Sequence, residues 1–383
     1  MTDYTNYPLL RHADAVKRAM LARDKRLMSK ITHDYLTAYR SLKEQIKRLT
    51  EALATAQPTQ AQLIRIELLQ IMIADVKKEM NKFAMLLGDD LQAAIADEIR
   101  RAGDDAFRLV QLSLPDTEAA AGLLGSWAGV EPKRVYQMFG FLDENGPLYA
   151  MLKNQFASDV ASMIRDTLMA GYIQGMNPRQ VAALLDKAFG TGLDWALRTA
   201  RTSMMWANRA AMQQVYQQNT NVVQGWIWSS ALDARCCLSC ISMHGTVHPL
   251  SETLNDHHLG RCSALPQLLS WDELGISGMP GGPKYDQDAA WFKSLTPEDQ
   301  AKLLAKTGEE WFNGLTKAQQ LELMGPGKYA AWQDGKFNFK DLSKPYNDKV
   351  YGLMTREATL KELLNNNPVE YEYYLDARQW LSL

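Results

Sequence analysis

Residues 231–262 read ALDARCCLSCISMHGTVHPLSETLNDHHLGRC and hold all four cysteines of the chain. Cys237-Leu-Ser-Cys240 has the spacing of a metal knuckle, where a tight backbone turn lets both sulfurs face one ion. Cys262 follows 22 residues after Cys240, beside His257 and His258. Three thiols and an imidazole on one pair of short loops suit a tetrahedral zinc ion. A closed, thiolate-rich set of this kind holds together a small region too poor in core residues to fold without it. The reading is therefore a structural zinc with Cys237, Cys240, Cys262 and one histidine as ligands. His257, His258, His248 and His244 all lie near enough in sequence to be that histidine. Cysteines that are simply reduced are the competing reading.

On either side of the knuckle the pattern changes from helix to strand. VVQGWIWSS (222–230) alternates apolar and polar residues and ends in small polar ones, as a short strand does, and a second strand is expected after the knuckle. Trp226 and Trp228 fall on one side of that strand, which reads as a core or interface anchor rather than a platform for stacking bases.

Upstream the chain is helical. From Asp14 to Thr55 there is no Pro or Gly, and Met28, Ile31, Tyr35, Leu42, Ile46 and Leu49 recur at helical spacing. At about 1.5 Å per residue this helix is on the order of 60 Å long. Pro58 interrupts the pattern, and Ile66, Leu69, Ile73, Val76, Met80, Phe83 and Leu87 then alternate by three and four, giving an antiparallel hairpin. A third helix is expected from Asp89 to about Leu112, ended by Leu114-Pro115. GLLGSWAGVEPKRVYQMFGFLDENGP (122–147) reads as a connector. Helices are expected over 148–172, over 178–188 behind an Asn177-Pro178 start, and over 193–218.

Downstream, WFKSLTPEDQAKLL from Trp291 and WFNGLTKAQQLELM from Trp311 repeat at a spacing of 20. Each copy places a threonine N-cap, Thr296 or Thr316, three residues before Asp299 or Gln319, so two short helices with aromatic plugs are expected. The chain thus reads as mainly α. An elongated helical hairpin or bundle spans 1–114 and a connector 115–147. A helical central domain with a small β zinc knuckle spans 148–270, and a tail of short helices 271–383.

Bulk composition narrows the function classes. Of 383 residues, 46% are apolar and 22% charged, with a net charge of −2, which excludes wholesale disorder and a strongly basic wrapper of nucleic acid. The N-terminus lacks the apolar run of a signal peptide, and no window approaches roughly 18 consecutive apolar residues, so the expectation is a chain with no membrane span, made and kept in the cytosol. Cysteines confined to one segment of a reduced protein fit a metal site better than a disulfide framework.

The knuckle segment and its surroundings also carry a resemblance. ALDARCCLSCISMHGTVHPL followed by HHLGRCSALP is similar to the signature of the phage Mu F-like head morphogenesis family. Asp233 stands in the turn before CxxC, Gly245 in the strand after it, and His257, Arg261 and Cys262 match the closing His, Arg and Cys. Gly260 stands where the first cysteine of that closing group usually is, and the resemblance implies His257 as the fourth ligand, with His258 as the alternative. LMAGYIQGMNPRQVAALLDKAF (168–189) and ALRTARTSMMWANRAAM (196–212) resemble the family's capped helix and its Arg-Thr helix, here Arg201 and Thr202. ELMGPGKYAAWQDGKFNFKDL (322–342) is similar to regions found behind that domain. The resemblance covers about 148–266 and, loosely, the tail.

The resemblance implies a minor capsid protein of a tailed bacteriophage, located in the virion head and in host cytoplasm during assembly. Its implied partners are the portal protein, the major capsid protein and packaged double-stranded DNA. No turnover is expected, and Arg201 and Thr202 read as packing residues. Two other readings stand beside it. Asp256-His257-His258 next to a knuckle suggests an HNH-like metal-dependent nuclease, although no helix with further ligands is evident after Cys262. The basic stretch from Arg11 to Arg48 suggests a DNA-binding adaptor.

Overall fold

Helix-forming residues at heptad-like spacing, uninterrupted by proline, make the first elements long. In the computed structural model, α1 spans Pro8–Ala54 and α2 spans Pro58–Ser113. Residues 8–54, 58–138, 146–152, 158–163, 166–167, 178–233, 235–276 and 307–379 are described. The chain is mainly helical, with two small antiparallel sheets. Among the described residues no helix is long and apolar enough to cross a membrane.

Two compact units divide the chain. One comprises 20–98 and 136–207; the other comprises 1–19, 99–135 and 208–383. The first is built on the expected hairpin. Arg23 pairs with Glu98, Lys30 with Asp90, and Tyr35 packs edge-on against Phe83 at 4.9 Å, so partners descend along α2 as they ascend α1. That order is antiparallel. Ile31, Tyr35, Leu42, Met80, Leu87 and Leu91 are fully buried between the two helices.

Two expected helix breaks do not occur. The helix anticipated from Asp89 is the continuation of α2, because the apolar register Leu87, Leu91 and Ile95 runs through Gly88 without a step. Likewise Pro178–Gln218 is one helix rather than two. A glycine in a helix costs only about 1 kcal/mol relative to alanine, and packing outweighs it. Gly192 is where that packing is closest: a Cβ there would run into the Tyr35 hydroxyl and lie 3.2 Å from Val160 Cγ2.

Between these long helices lie α3 (Glu118–Gly125), capped by Thr117, then α4 (Pro132–Met138) and α5 (Pro147–Ala150). The helix Pro178–Gln218 is α6. From Thr202 to Tyr216 every residue of α6 is buried, so its polar side chains need internal partners. In the second unit Gln213 and Gln214 each find at least one. Gln213 donates to the carbonyl oxygens of Leu250 and Glu252, and Gln214 accepts from the amide of Glu131 at 3.0 Å. Asn219, just past the helix end, exchanges two hydrogen bonds with the backbone of Ala128.

The sheet of the second unit has three strands rather than the two expected: β1 (Val223–Ser229), β2 (Val247–Pro249) and β3 (Ser263–Leu268), in the order β2-β1-β3. Both pairings are antiparallel, Trp226 facing His248 on one side and Pro266 on the other. Central β1 is almost wholly buried, so Trp226 and Trp228 are core residues, their rings 6.0 Å apart. The short helix α7 (Leu238–Met243) leaves β1 by way of the CxxC turn.

The tail continues with α8 (Gly308–Asn313), α9 (Lys317–Met324) and α10 (Pro326–Gln333). A 3₁₀ turn at Phe339–Leu342 then leads into the hairpin of β4 (Ser343–Asp348) and β5 (Gly352–Glu357). The last described helices are α11 (Leu360–Leu363) and α12 (Pro368–Leu375). The second copy of the repeat behaves as its sequence predicts. Thr316 and Gln319 form a capping box, and Phe312 is a fully buried plug between Trp332 and Phe339. The first copy, with Thr296 and Asp299, lies outside the described residues. This tail packs on the knuckle: Gly308 N donates to His244 O at 3.0 Å, and the Ser239 and Ser343 hydroxyls meet at 2.9 Å.

Candidate metal centre

The CxxC turn is a helix N-terminus. Cys237 is the N-cap of α7 and its sulfur accepts from the amide of Cys240, so one turn brings both thiols to the same side. At the other end of α7, His244 is the C-cap and Gly245 follows at φ 82. That left-handed residue reverses the chain into β2, and glycine adopts it without strain. Asp233 anchors the entry to the knuckle through two 2.6 Å bonds from Arg261, whose hydrogen bonds hold its carboxyl down at about 2.

His257 closes the cluster. Its Nε2 lies 3.1 Å from both Cys237 Sγ and Cys240 Sγ, while Nδ1 donates to the carbonyl of His258 at 2.6 Å. That second bond fixes the ring and leaves Nε2 aimed at the sulfurs, the arrangement a metal-ligating histidine needs. Burial opposes charging the ring, yet the bond to Cys237 and the charge of Asp256 outweigh it and raise the His257 pKa. Hydrogen bonds from Cys240 and His257 lower that of Cys237, whereas bonds to its thiol neighbours raise that of Cys240. Of the two sulfurs, Cys237 is therefore the more readily ionised and Cys240 the less.

Two three-donor groups share Cys240: Cys237, Cys240 and His257 form one, and Cys240, Asp256 and Cys262 form the other. Within each group the donor atoms lie within 4.8 Å of one another. Around tetrahedral zinc, with bonds of about 2.3 Å to sulfur and 2.0 Å to nitrogen, sulfur and nitrogen sit about 3.5 Å apart. The observed 3.1 Å contacts need to open by roughly half an ångström. The donor chemistry and the tied-off Nδ1 therefore fit a thiophilic ion such as zinc, held by Cys237, Cys240 and His257. Cys262 belongs to the second group, and its sulfur lies 3.4 Å from Ser230 Oγ.

The other sequence candidates sit elsewhere. His258 Nε2 pairs with Asp348 Oδ2 at 3.1 Å and its ring meets Tyr351 edge-on, which turns it toward the β4–β5 hairpin. His248 stacks on Trp226 at 4.3 Å and bonds Thr246 and Glu252. His244 Nδ1 accepts from Ser230 N, and burial pushes its pKa down to about 4. In the first unit Arg201 bonds buried Asp24 at 2.6 Å, and Thr202 is buried within α6.

Arg209 and Lys17 are not evident in the sequence as part of the site, and Asp256 is legible there only in the Asp256-His257-His258 run of the nuclease reading. Arg209 on α6 donates to Asp256 Oδ2, Gly260 O and Cys262 O. Its one local signal is a cation in an otherwise apolar helical run. Asp256 is wholly buried beneath the cluster. Lys17 of α1 donates to Ser229 Oγ at 2.9 Å and to the carbonyls of Ser229 and Ser230, placing a cation beside the Cys262 and Cys236 thiols.

Residues 162–266 match the family model described as phage Mu protein F like protein. The matched segment takes in α6, the knuckle and the sheet, and ends within β3. Neither the curated proteins nor the solved structures yielded a match.

Proposed function

We propose, from the premise that residues 162–266 are phage Mu F-like, that the chain is a head morphogenesis protein of a tailed bacteriophage, carried in the virion as a minor capsid component. The single observation that carries the reading is that match, which spans the helix, knuckle and sheet of the thiol and imidazole cluster. In this proposal the cluster holds one structural zinc through Cys237, Cys240, His257 and Cys262. The ion supplies cross-linking of α7 to the 256–262 loop, and no reaction is assigned to it. The portal protein and the major capsid protein are the proposed partners, with packaged DNA nearby.

The nuclease reading has less behind it. A nuclease needs a general-base histidine free to meet a phosphodiester, whereas His257 faces two sulfurs and His258 is engaged by Asp348. Cys262 is followed by β3, not by a helix with further ligands.

Mass spectrometry of purified virions tests the location, and metal analysis of the isolated chain tests the zinc. A few copies per particle and one zinc per chain are expected. Absence from particles sinks the head-protein reading, absence of zinc sinks the knuckle reading, and magnesium-dependent nicking of plasmid DNA that is lost with His257→Ala restores the nuclease.

A further inference from the structure

Three of the four proposed ligands touch one carboxylate. Asp256 Oδ1 accepts from His257 N at 2.8 Å and from Cys240 Sγ at 3.3 Å; Oδ2 accepts from Arg209 Nη2 at 2.7 Å and from Cys262 N at 3.2 Å. The bonds from His257 N, Cys262 N and Arg209 Nη2 need no thiol proton and persist when Cys240 ionises to bind a metal, whereas the Cys240 bond is made by the protonated thiol alone. Arg209 completes the arrangement. From a single planar fork its Nε reaches Cys262 O at 2.9 Å and Nη2 reaches Gly260 O at 2.7 Å. Lysine has no such fork.

Two features of the loop show that this pair shapes it. A Cβ at position 260 would fall inside the Asp256 carboxylate. Gly260 is not among the glycines with positive φ, so space alone demands glycine there. Its neighbour Leu259 sits at φ 61, a conformation that a bulky residue keeps only where the surroundings impose it. The arginine bonds to Gly260 O and Cys262 O do so on the residues that follow.

We propose that Asp256 and Arg209 are positioning residues of the metal site: a buried carboxylate and guanidinium that set the backbone of His257, Gly260 and Cys262, and that fill the volume a side chain at 260 would need. The inference rests on reading the cluster as a metal site. It makes the pair, rather than the ion, the element that holds the 256–262 loop in a binding-ready shape.

The test uses the full chain loaded with zinc and, separately, with cobalt(II). Asp256→Asn keeps the shape but not the charge; Arg209→Lys keeps the charge but not the fork. Each is expected to hold one metal per chain but to lose it to a chelator about 10–100-fold faster, the usual scale for residues that orient ligands. Each should also shift the cobalt ligand-field bands, which Gly192→Ala, a variant in the other unit, should leave alone. If either variant fails to fold, Gly260→Ala decides. Its loss of melting temperature should shrink in an Asp256→Ala background, where the overlapping carboxylate is gone.

Unchanged chelation rates and spectra in both charge variants overturn the proposal. So does a Gly260→Ala penalty that is equal in the two backgrounds. A wild-type chain that takes up no metal overturns the metal reading and the positioning role with it, while the Gly260 and Asp256 cycle, which needs no metal, separately decides whether the pair shapes the loop.

Discussion

Replacing Arg209 by methionine keeps an unbranched side chain while removing every donor. Arg209 is 4% exposed and makes three hydrogen bonds of 2.7–2.9 Å, one to Asp256, which is 0% exposed. The variant leaves Asp256 charged, buried and without its counterion, and strips a donor from the carbonyls of Gly260 and Cys262. Removing one partner of a buried pair costs about 3–5 kcal/mol. Each orphaned carbonyl alone costs about 1–3 kcal/mol, but these overlap with the first figure, since all three acceptors lie on one loop that relaxes together. A loss of about 3–5 kcal/mol is therefore expected. In a unit of roughly 200 residues each kcal/mol moves the melting temperature about 2–4 °C, so a fall of roughly 10 °C follows. Differential scanning calorimetry at pH 7 with saturating zinc measures it. The double variant Arg209→Met/Asp256→Leu removes the stranded charge as well and should recover more than half of the loss. A single variant within about 2 °C of wild type, or a double variant that falls by the sum of the two single changes, refutes the argument from buried charge.

Other consequences are as direct. Gly192→Ala drives a methyl into the Tyr35 hydroxyl and should destabilise the first unit by about 1–3 kcal/mol; Tyr35→Phe should relieve most of it, and equal melting points for the single and double variants count against the close approach. Phe312→Ala empties a fully buried ring site between Trp332 and Phe339 and should cost about 3–5 kcal/mol in denaturant unfolding; a cost below about 1 kcal/mol would mean that the plug is not packed. His244 has a folded pKa of about 4, below its ordinary 6.5. The folded chain therefore resists protonating it, and stability present above pH 6.5 is lost as pH falls toward 4, by up to about 1.4 kcal/mol per pH unit. His244→Asn should remove this slope, so that the stability difference between wild type and variant shrinks as pH falls from 6.5 toward 4, and parallel profiles would exclude His244 as the cause.

Local chemistry was legible from the residues alone. CxxC fixes two sulfurs on one turn, Thr316 and Gln319 cap a helix three residues apart, and the three-and-four spacing from Ile66 to Leu87 predicts a helix against a helix. Each of these rests on interactions spanning a few residues. The helix breaks placed near Gly88 and Gly192 failed for the opposite reason: glycine's small local cost was overruled by partners elsewhere, Tyr35 among them. The sequence favoured His257 but left His258 open; the tertiary structure puts His257 against the thiols and turns His258 away, because the β4–β5 hairpin supplies Asp348 and Tyr351 to the latter. It also decided that Arg209 braces the loop from 47 residues before Asp256. Spacing along a chain determines which ligands one turn can present, while a buried charge is meaningful only beside its counterion, and bringing those two together is the work of the fold.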